Sequence, residues 1–241
     1  MTQEHEAGAD RQFERYALYW MPEPGSPLAD FGRGWFGHDP EMGGHVIQCD
    51  DRGLGLDCLE QITSTPRRYG FHATLLAPFH LRAAMAASDL SDRLERFAAE
   101  RGPVNIGRLQ LERIDDFLAL TPQSDVFALK AFQTQCAFAF DRFRAPLSGA
   151  ERARRLTPGL SLQQRLMLAQ WGYPHMLADF RFHLTLTGPL AESEADRISS
   201  RLAANLEDIC APPLILRSIS LCGDPGAGEP LRMLARCPLE G

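Results

Sequence analysis

The 241-residue sequence lacks any run of 18 consecutive apolar residues, the length at which a membrane-spanning helix would be predicted. Its first ten residues are polar and acidic, unlike the basic and then apolar start of a secretory signal. We therefore expect a cytoplasmic protein with no membrane partner. Hydrophobic residues make up 44% of the chain, which is enough for a buried core and excludes an intrinsically disordered class.

Pairs of cysteines in a Cys-x-x-Cys spacing are also absent. The six cysteines are expected to be reduced thiols, because a disulfide framework is typical of short secreted chains. One conceivable zinc site has a spacing that matches no compact zinc pattern, so no metal and no other cofactor is predicted. The residues of that site would be His38, His45, Cys49 and Cys58.

Two nucleotide and nucleophile motifs are missing as well. There is no Gly-x-x-x-x-Gly-Lys loop to hold nucleotide phosphates and no Gly-x-Ser-x-Gly elbow, which disfavours an NTPase and a serine hydrolase. Lysine occurs once, at Lys130, against 24 arginines, and the net charge is −6. Long nucleic acid is a poor partner for an acidic surface, whereas a small phosphorylated substrate can bind in a local basic pocket.

The predicted elements repeat along the chain. A strand, a helix and a hairpin occur at 67–121 and again at 180–237, and helices within 124–172 join them. We predict one α+β domain over 1–241, made of two pseudo-symmetric lobes that face each other across a central cleft. Each lobe would be an antiparallel sheet with helices outside, and a strand at 15–20 would join one of the sheets.

Local signals set several boundaries within this plan. Arg67–Phe79 and Phe180–Leu190 are predicted as strands, and Arg142–Pro158 as a polar connection. Ser161, with glutamine three residues later, predicts a capping box at a helix start, and Gly172 predicts its end. Residues 28–65 receive no predicted role.

Each repeat begins with the same five-residue word. The first is Phe71-His-Ala-Thr-Leu75 and the second is Phe182-His-Leu-Thr-Leu186. Chance predicts about a quarter of one His-x-Thr in a chain with seven histidines and nine threonines, so two are a specific signal. Alternate side chains of a strand share a face, so His and Thr of each word point one way and the apolar residues the other.

Paired imidazoles of this kind are suited to metal-free chemistry on phosphoesters. An imidazole with a pKa of about 6.5 can accept a proton from a hydroxyl group, and a second can donate one to a departing oxygen. Threonine hydroxyls can donate hydrogen bonds to phosphate oxygens. A small cyclic phosphate is a natural substrate for the pair, and either histidine could be the base.

With its paired His-x-Thr words, the sequence resembles the 2H phosphoesterase superfamily, which includes the LigT-like RNA ligases and cyclic phosphodiesterases. Three segments resemble its phosphonate-metabolism-associated branch. They are Arg15-Tyr-Ala-Leu-Tyr19, Pro66-Arg-Arg-Tyr-Gly-Phe-His-Ala-Thr74, and Tyr173-Pro174 ahead of Phe180-Arg-Phe-His-Leu-Thr-Leu-Thr187. His175 stands where that branch is expected to have tyrosine.

The resemblance implies a metal-independent hydrolase of a small cyclic phosphate, such as a ribose cyclic phosphate of phosphonate catabolism. It carries catalytic roles onto four residues, His72, Thr74, His183 and Thr185. The alternation of side chains along a strand adds two phosphate-binding candidates on the same faces as the histidines, Arg68 and Arg181. Three tyrosines are candidates to line the cleft: Tyr16, Tyr19 and Tyr69. His5, His38, His45 and His80 have no partner in a repeat and are expected to be structural.

Three further possibilities stay open. The enzyme could act on RNA ends as a 2′,3′-cyclic phosphodiesterase or 2′-5′ ligase, or the protein could bind a phosphate ligand without catalysis. A cluster of arginines in the 142–158 connection could form a basic lid over a second phosphate, although such a cluster is usually a solvated loop. Its members are Arg142, Arg144, Arg152, Arg154 and Arg155. The sequence leaves the oligomeric state undetermined.

Overall fold

The computed structural model describes residues 13–50, 53–124 and 126–241. Residues 1–12, which include His5, and the side chain of His45 lie outside the described residues, so the predictions made for these two histidines are not tested. Within those ranges the chain forms one large antiparallel sheet with helices packed on it, so the predicted α+β class is confirmed.

The large sheet has seven strands in the order β11-β10-β1-β4-β8-β7-β6, and all neighbours are antiparallel. Two pairs of short strands, β2–β3 and β5–β9, lie outside it. In chain order the strands are β1 (Arg15–Trp20), β2 (His38–Asp39), β3 (Gly44–His45), β4 (Ala73–Phe79), β5 (Val104–Gly107), β6 (Leu109–Ile114), β7 (Phe117–Pro122), β8 (Leu184–Thr185), β9 (Leu214–Leu216), β10 (Ser218–Asp224) and β11 (Arg232–Pro238).

Seven α-helices and three short 3₁₀ turns complete the described chain. The helices are α1 (Pro27–Phe36), α2 (Leu56–Thr63), α3 (Ala87–Ala99), α4 (Phe127–Phe140), α5 (Gly149–Arg155), α6 (Leu162–Trp171) and α7 (Glu192–Cys210). The 3₁₀ turns span Pro66–Tyr69, Asp141–Phe143 and Leu177–Asp179. None of the described helices is long and apolar enough to cross a membrane.

Strand β1 shows why the sheet has two different faces. Its alternate residues Tyr16, Leu18 and Trp20 belong to the main core, which α3, α4 and α7 also fill. The intervening residues Ala17 and Tyr19, and Met21 just after the strand, belong to a second, smaller apolar cluster. Because side chains of a strand alternate between faces, the smaller cluster lies on the opposite side of the sheet from the core.

The prediction of two separate lobes, each with its own sheet, is wrong. Strands from both predicted lobes lie in one sheet, and one strand of each lobe lies among strands of the other lobe. β4, from the first repeat, is on the side with β10 and β11, whereas β8, from the second repeat, pairs with β7. Local hydrophobic patterns are the same for either pairing, so they could not predict this exchange. A pseudo-symmetric pair of lobes is not confirmed.

The predicted strand Arg67–Phe79 begins later than expected. A 3₁₀ turn occupies Pro66–Tyr69, and Gly70 follows it with a φ of 71°, in the region that favours glycine. A Cβ atom at Gly70 would also clash with the ring of Pro40. Proline suits the first position of such a turn, so the chain reaches the strand only at Ala73.

The predicted strand Phe180–Leu190 is reduced to Leu184–Thr185. After these residues the backbone N–H of Leu118 donates to the hydroxyl oxygen of buried Thr187 at 3.0 Å. A side chain therefore takes the place of a backbone partner, and the regular ladder stops there.

The 142–158 segment, predicted as a polar connection, contains helix α5, which was not predicted. Ser148 caps α5 by accepting from the backbone N–H of Glu151, and the Glu151 carboxylate accepts from the N–H of Ser148. The same device starts α6 at Ser161, and Gly172 ends α6 with a φ of 71°. The prediction for α6 is confirmed at both ends.

All six cysteines are free thiols, as the sequence predicts. Four of them are buried and make up part of the packed interior. Within the described residues, no group of three or more His, Cys, Asp or Glu side chains lies close enough to hold a metal ion.

Candidate active site

The two His-x-Thr words meet where β4 pairs with β8. Ala73 lies directly opposite Leu184 in this pair, and both are fully buried in the core. Continuing the antiparallel register by one residue on each side places His72 opposite Thr185 and Thr74 opposite His183. Residues directly opposite have Cβ atoms about 5 Å apart and diagonal ones about 7–8 Å. The four polar residues therefore form one block on the face opposite the core, which we call the imidazole block.

His72 has a fixed tautomer in this block. Its Nδ1 atom lies 2.9 Å from the carbonyl oxygen of Gly70, and since a carbonyl can only accept, Nδ1 carries the hydrogen. In the neutral ring Nε2 is then an acceptor, and the hydroxyl oxygen of Thr74 lies 3.3 Å from it. The positive φ of Gly70 that delays the strand also brings this carbonyl to the ring.

Two tyrosines hold the His72 ring in place. The Tyr19 ring stacks on it with centroids 3.8 Å apart and planes at 21°. Tyr69 approaches it in a tilted arrangement at 6.3 Å. Because Tyr19 is only 2% exposed, the imidazole is pressed against a rigid apolar surface and its orientation is restricted.

Burial lowers the pKa of His72 to about 4, because desolvation disfavours the charged imidazolium. The hydrogen bond to the Gly70 carbonyl acts in the opposite direction, and the positive charge of a protonated His183 lowers the pKa further. At neutral pH His72 is therefore a neutral imidazole with an available acceptor nitrogen.

His183 has the same arrangement on the neighbouring strand. Its Nδ1 atom donates to the carbonyl oxygen of Arg181 at 2.8 Å, so Nε2 is again the acceptor. Burial lowers its pKa, and the positive charges of Arg181 and His175 lower it further. The Phe117 ring packs near it at 5.9 Å. The two histidines thus share one tautomer and one charge state.

A cavity of about 730 Å³ opens beside the block. Thr74 and His183 line it together with Tyr173, His175 and Arg181. This volume is within the range of pockets for small organic ligands. His175 is exposed on this wall, and its ring meets the Tyr173 ring edge-on at 5.6 Å. No independent signal in the sequence pointed to Tyr173 or His175 as cavity residues.

The two predicted arginines lie outside the strands in which the sequence pattern placed them. Arg68 lies in the 3₁₀ turn and not in a strand, and its guanidinium pairs with Asp224 at 2.7 Å. It lines a second cavity together with Tyr69. Arg181 precedes β8 and is an exposed residue on the wall of the first cavity.

Of the three predicted tyrosines, two lie beside the imidazole block and one does not. Tyr19 and Tyr69 contact the His72 ring as described. Tyr16 is 3% exposed and packs in the main core against Phe13 at 6.1 Å. It points to the opposite face because it is an odd number of residues from Tyr19, so it does not line the cleft.

The lowered pKa of His72 predicts a stability that depends on pH. Between pH 6.5 and 4 the unfolded chain binds a proton that the folded chain does not, so the free energy of unfolding falls as pH falls through this window. We expect the wild-type protein to lose about 2 kcal/mol more than His72→Gln between pH 7 and pH 4.5. Urea denaturation of both proteins at the two pH values measures this. An equal loss in the two proteins would show that His72 is not the buried neutral group.

Comparison with solved structures gives a match at low sequence identity. The crystal structure of the protein TT0787 of Thermus thermophilus matches with a TM-score of 0.48 and 14% identity. The match covers 94% of this chain and 98% of that one.

Two curated relatives carry the name ribose 1,5-bisphosphate phosphokinase PhnN. The protein of Janthinobacterium sp. (strain Marseille) is 34% identical over 231 residues, and that of Laribacter hongkongensis (strain HLHK9) is 28% identical over 219 residues. The matches cover 94% and 91% of this chain, and 51% and 50% of the relatives. The chain therefore spans about half the length of the curated relatives it matches.

These names overturn the predicted reaction. A phosphokinase is named where the sequence reading predicted a metal-independent hydrolase of a cyclic phosphate, so that prediction is wrong. The comparisons lend no support to the RNA-end and non-catalytic alternatives, and they do not confirm the resemblance to the 2H phosphoesterase superfamily. The family that matches is described as a protein of unknown function (DUF1045), and its model covers residues 74–232. The chain belongs to this family.

Proposed function

We propose that the chain is an enzyme of phosphonate metabolism that transfers a phosphoryl group between oxygen atoms, with a phosphorylated pentose as a substrate. Two lines support this. The relatives are named as phosphokinases of ribose 1,5-bisphosphate, and the sequence resembles proteins associated with phosphonate metabolism. The imidazole block supplies groups that such a transfer requires.

The observation that carries the proposal is the register of β4 and β8, in which Ala73 pairs with Leu184. It sets His72 and His183 diagonally on one face, each with Nδ1 bonded to a carbonyl, and Nε2 of His72 lies 3.3 Å from the Thr74 hydroxyl oxygen. A phosphoryl transfer needs one proton acceptor and one proton donor on the two sides of phosphorus, and this separation leaves room for a phosphate between them.

In the proposed reaction, one imidazole accepts through Nε2 the proton of the attacking hydroxyl group while the new O–P bond forms. The other imidazole, protonated at Nε2, donates its proton to the oxygen that leaves as the old O–P bond breaks. One proton is taken up and one is given, so the two histidines exchange charge states over a turnover. Either can begin as the base because both have the same tautomer.

Ligand charge would prepare the acid. Burial keeps both imidazoles neutral in the free protein, since it lowers the pKa of each. A phosphate dianion placed between them stabilises the imidazolium and raises the pKa of the ring that it contacts. When the ligand protonates Nε2 of His72, the Thr74 hydroxyl no longer donates to that nitrogen and can donate to a non-bridging phosphate oxygen, as can the guanidinium of Arg181 on the cavity wall.

The sequence has no Gly-x-x-x-x-Gly-Lys loop, so the proposal assigns phosphate contacts to histidine, threonine and arginine side chains. The pair of His-x-Thr words is also what links this chain to the 2H phosphoesterase superfamily. That relationship stays a prediction, and the hydrolysis it implied is not part of the proposal.

The proposal is tested by phosphorus NMR. The protein is incubated with ribose 1,5-bisphosphate or ribose 5-phosphate, each with and without ATP and Mg²⁺. We expect a new phosphate ester resonance to grow at the expense of the substrate resonance with the wild-type chain, because phosphoryl transfer moves phosphorus to a different oxygen.

The matched control is the double variant His72→Gln/His183→Gln, prepared in the same way and checked by circular dichroism for an unchanged fold. It should leave every resonance unchanged. The proposal fails if the wild-type spectra stay constant under all conditions, or if the double variant gives the same product at the same rate, which would identify a contaminating enzyme.

A further inference from the structure

A second cavity, of about 790 Å³, takes no part in the mechanism so far. Three arginines line it, Arg15, Arg68 and Arg154, together with Tyr69 and His80. These residues come from β1, from the 3₁₀ turn before His72, from α5 and from the residue after β4. Three distant parts of the chain thus bring arginine side chains to one place, and a fourth contributes His80.

Arg15 and Arg68 are held by a single carboxylate. Asp224 is 1% exposed and binds Arg15 at 2.5 Å through one oxygen and Arg68 at 2.7 Å through the other. Its second oxygen also accepts from the backbone N–H of Gly226. Two positive charges therefore share one buried negative charge. The Nε atom of Arg15 is buried without a hydrogen-bond partner.

Arg154 adds a third charge. It is exposed, and it makes no ion pair within the described parts of the chain. Desolvation lowers the pKa of the neighbouring Arg155; the negative charge of Glu151 opposes this, and the positive charges of Arg15 and Arg154 add to it. A bound anion beside Arg154 would supply the counter-charge that this guanidinium lacks within the described parts of the chain.

Two acidic side chains, Glu14 and Glu151, also line this cavity. Glu151 is engaged by His80 at 3.2 Å and by the capping bond to Ser148. Glu14 is an exposed residue next to Arg15 in the chain. His80, expected from the sequence to be structural, therefore lines the cavity and contacts the Glu151 carboxylate.

The second cavity is connected to the histidines through Tyr69. The Arg68 guanidinium carbon lies 5.4 Å from the centre of the Tyr69 ring, and that ring lies 6.3 Å from the His72 ring. Arg15 lies four residues before Tyr19 on the same face of β1, and Tyr19 stacks on His72. The Tyr69 ring thus links the wall of the second cavity to the His72 ring.

We propose that the cavity formed by Arg15, Arg68 and Arg154 binds the second phosphate of a pentose bisphosphate while the reacting phosphate lies at the imidazole block. This inference rests on the proposed function for the identity of the ligand. It makes the bisphosphate, and not the monophosphate, the preferred substrate class.

Isothermal titration calorimetry of the full chain with ribose 1,5-bisphosphate and ribose 5-phosphate tests the preference. We expect the bisphosphate to bind the wild-type protein at least tenfold more tightly, because one charge-assisted contact is worth about a factor of ten or more. Arg154→Gln should remove most of this difference by weakening bisphosphate binding alone. The matched control is Arg152→Gln, an exposed arginine of the same helix that does not line the cavity, and it should bind both ligands as the wild type does. Equal binding of the two ligands by the wild type, or equal losses in the two arginine variants, would overturn the subsite.

A second arm separates this inference from the proposed function. In the His72→Gln/His183→Gln background, inorganic phosphate at constant ionic strength should still raise the melting temperature, and adding Arg154→Gln should abolish the shift. A phosphate shift that depends on Arg154 supports the subsite even where no pentose phosphate reacts. A shift that is absent, or that persists in the triple variant, contradicts it.

Discussion

Replacing His72 with glutamine is expected to lower kcat for the phosphoryl transfer by about a thousandfold, since a positioned proton transfer contributes roughly 10²–10⁴. Glutamine is close to the imidazole in size and can still donate to the Gly70 carbonyl, which His72 contacts through Nδ1. It cannot accept and return a proton, so the loss reports chemistry more than packing. The variant should keep the circular dichroism spectrum of the wild type.

The same loss is expected for His183→Gln, and the double variant should be little worse than either single one. Residues that act as a unit in one step are strongly non-additive, because the second proton transfer is of no use once the first is gone. The matched control is His175→Gln, an exposed histidine on the same cavity wall, which should change kcat little. Losses below tenfold for both His72→Gln and His183→Gln would remove the imidazole pair from the mechanism.

The local features of the fold were predictable because their signals are local. The capping box at Ser161 and the glycine at 172 mark both ends of α6, and they rest on hydrogen bonds within a few residues. The alternation in Arg15–Trp20 likewise predicts β1, which has a core on one face and a smaller apolar cluster on the other.

The pairing of strands was not predictable in the same way. β4 and β8 are separated by more than a hundred residues, and their apolar pattern fits a partner in either repeat. The repeats in the sequence therefore predict one sheet for each repeat. In the structure, strands of both repeats lie in a single sheet, and β4 and β8 each lie beside a strand of the other repeat. The two His-x-Thr words still reach one place, because each word begins a strand and those two strands are neighbours.

The site shows a similar division. Repetition of a word identified His72 and His183, but nothing near Arg68 in the sequence indicates that its partner is Asp224, 156 residues away. Asp224 lies in a stretch rich in glycine and proline that resembles an ordinary turn. The paired imidazoles also indicate proton transfer without specifying the bond that breaks, which is why the predicted hydrolysis could be wrong while the residues remain candidates.

Replacing Asp224 with alanine is expected to destabilise the protein by about 3 kcal/mol, near the lower end of the range for breaking a buried ion pair. The carboxylate is 1% exposed, whereas the side chains of Arg15 and Arg68 are 17% and 24% exposed. Its removal leaves two guanidinium groups facing each other without the charge between them. Because both can reach water in part, the cost stays below that of a fully buried, unpaired charge.

The matched control for this measurement is Asp30→Ala, which breaks an ion pair of similar length on the surface. Asp30 and Arg33 meet at 2.6 Å, but their side chains are 53% and 47% exposed, so the expected cost is below about 1 kcal/mol. Urea denaturation at pH 7 compares the two variants with the wild type. If Asp224→Ala costs no more than Asp30→Ala, the carboxylate does not hold the arginine pair together. A large cost for Asp224→Ala with a small one for Asp224→Asn would instead assign the stability to the hydrogen bonds of this side chain and not to its charge.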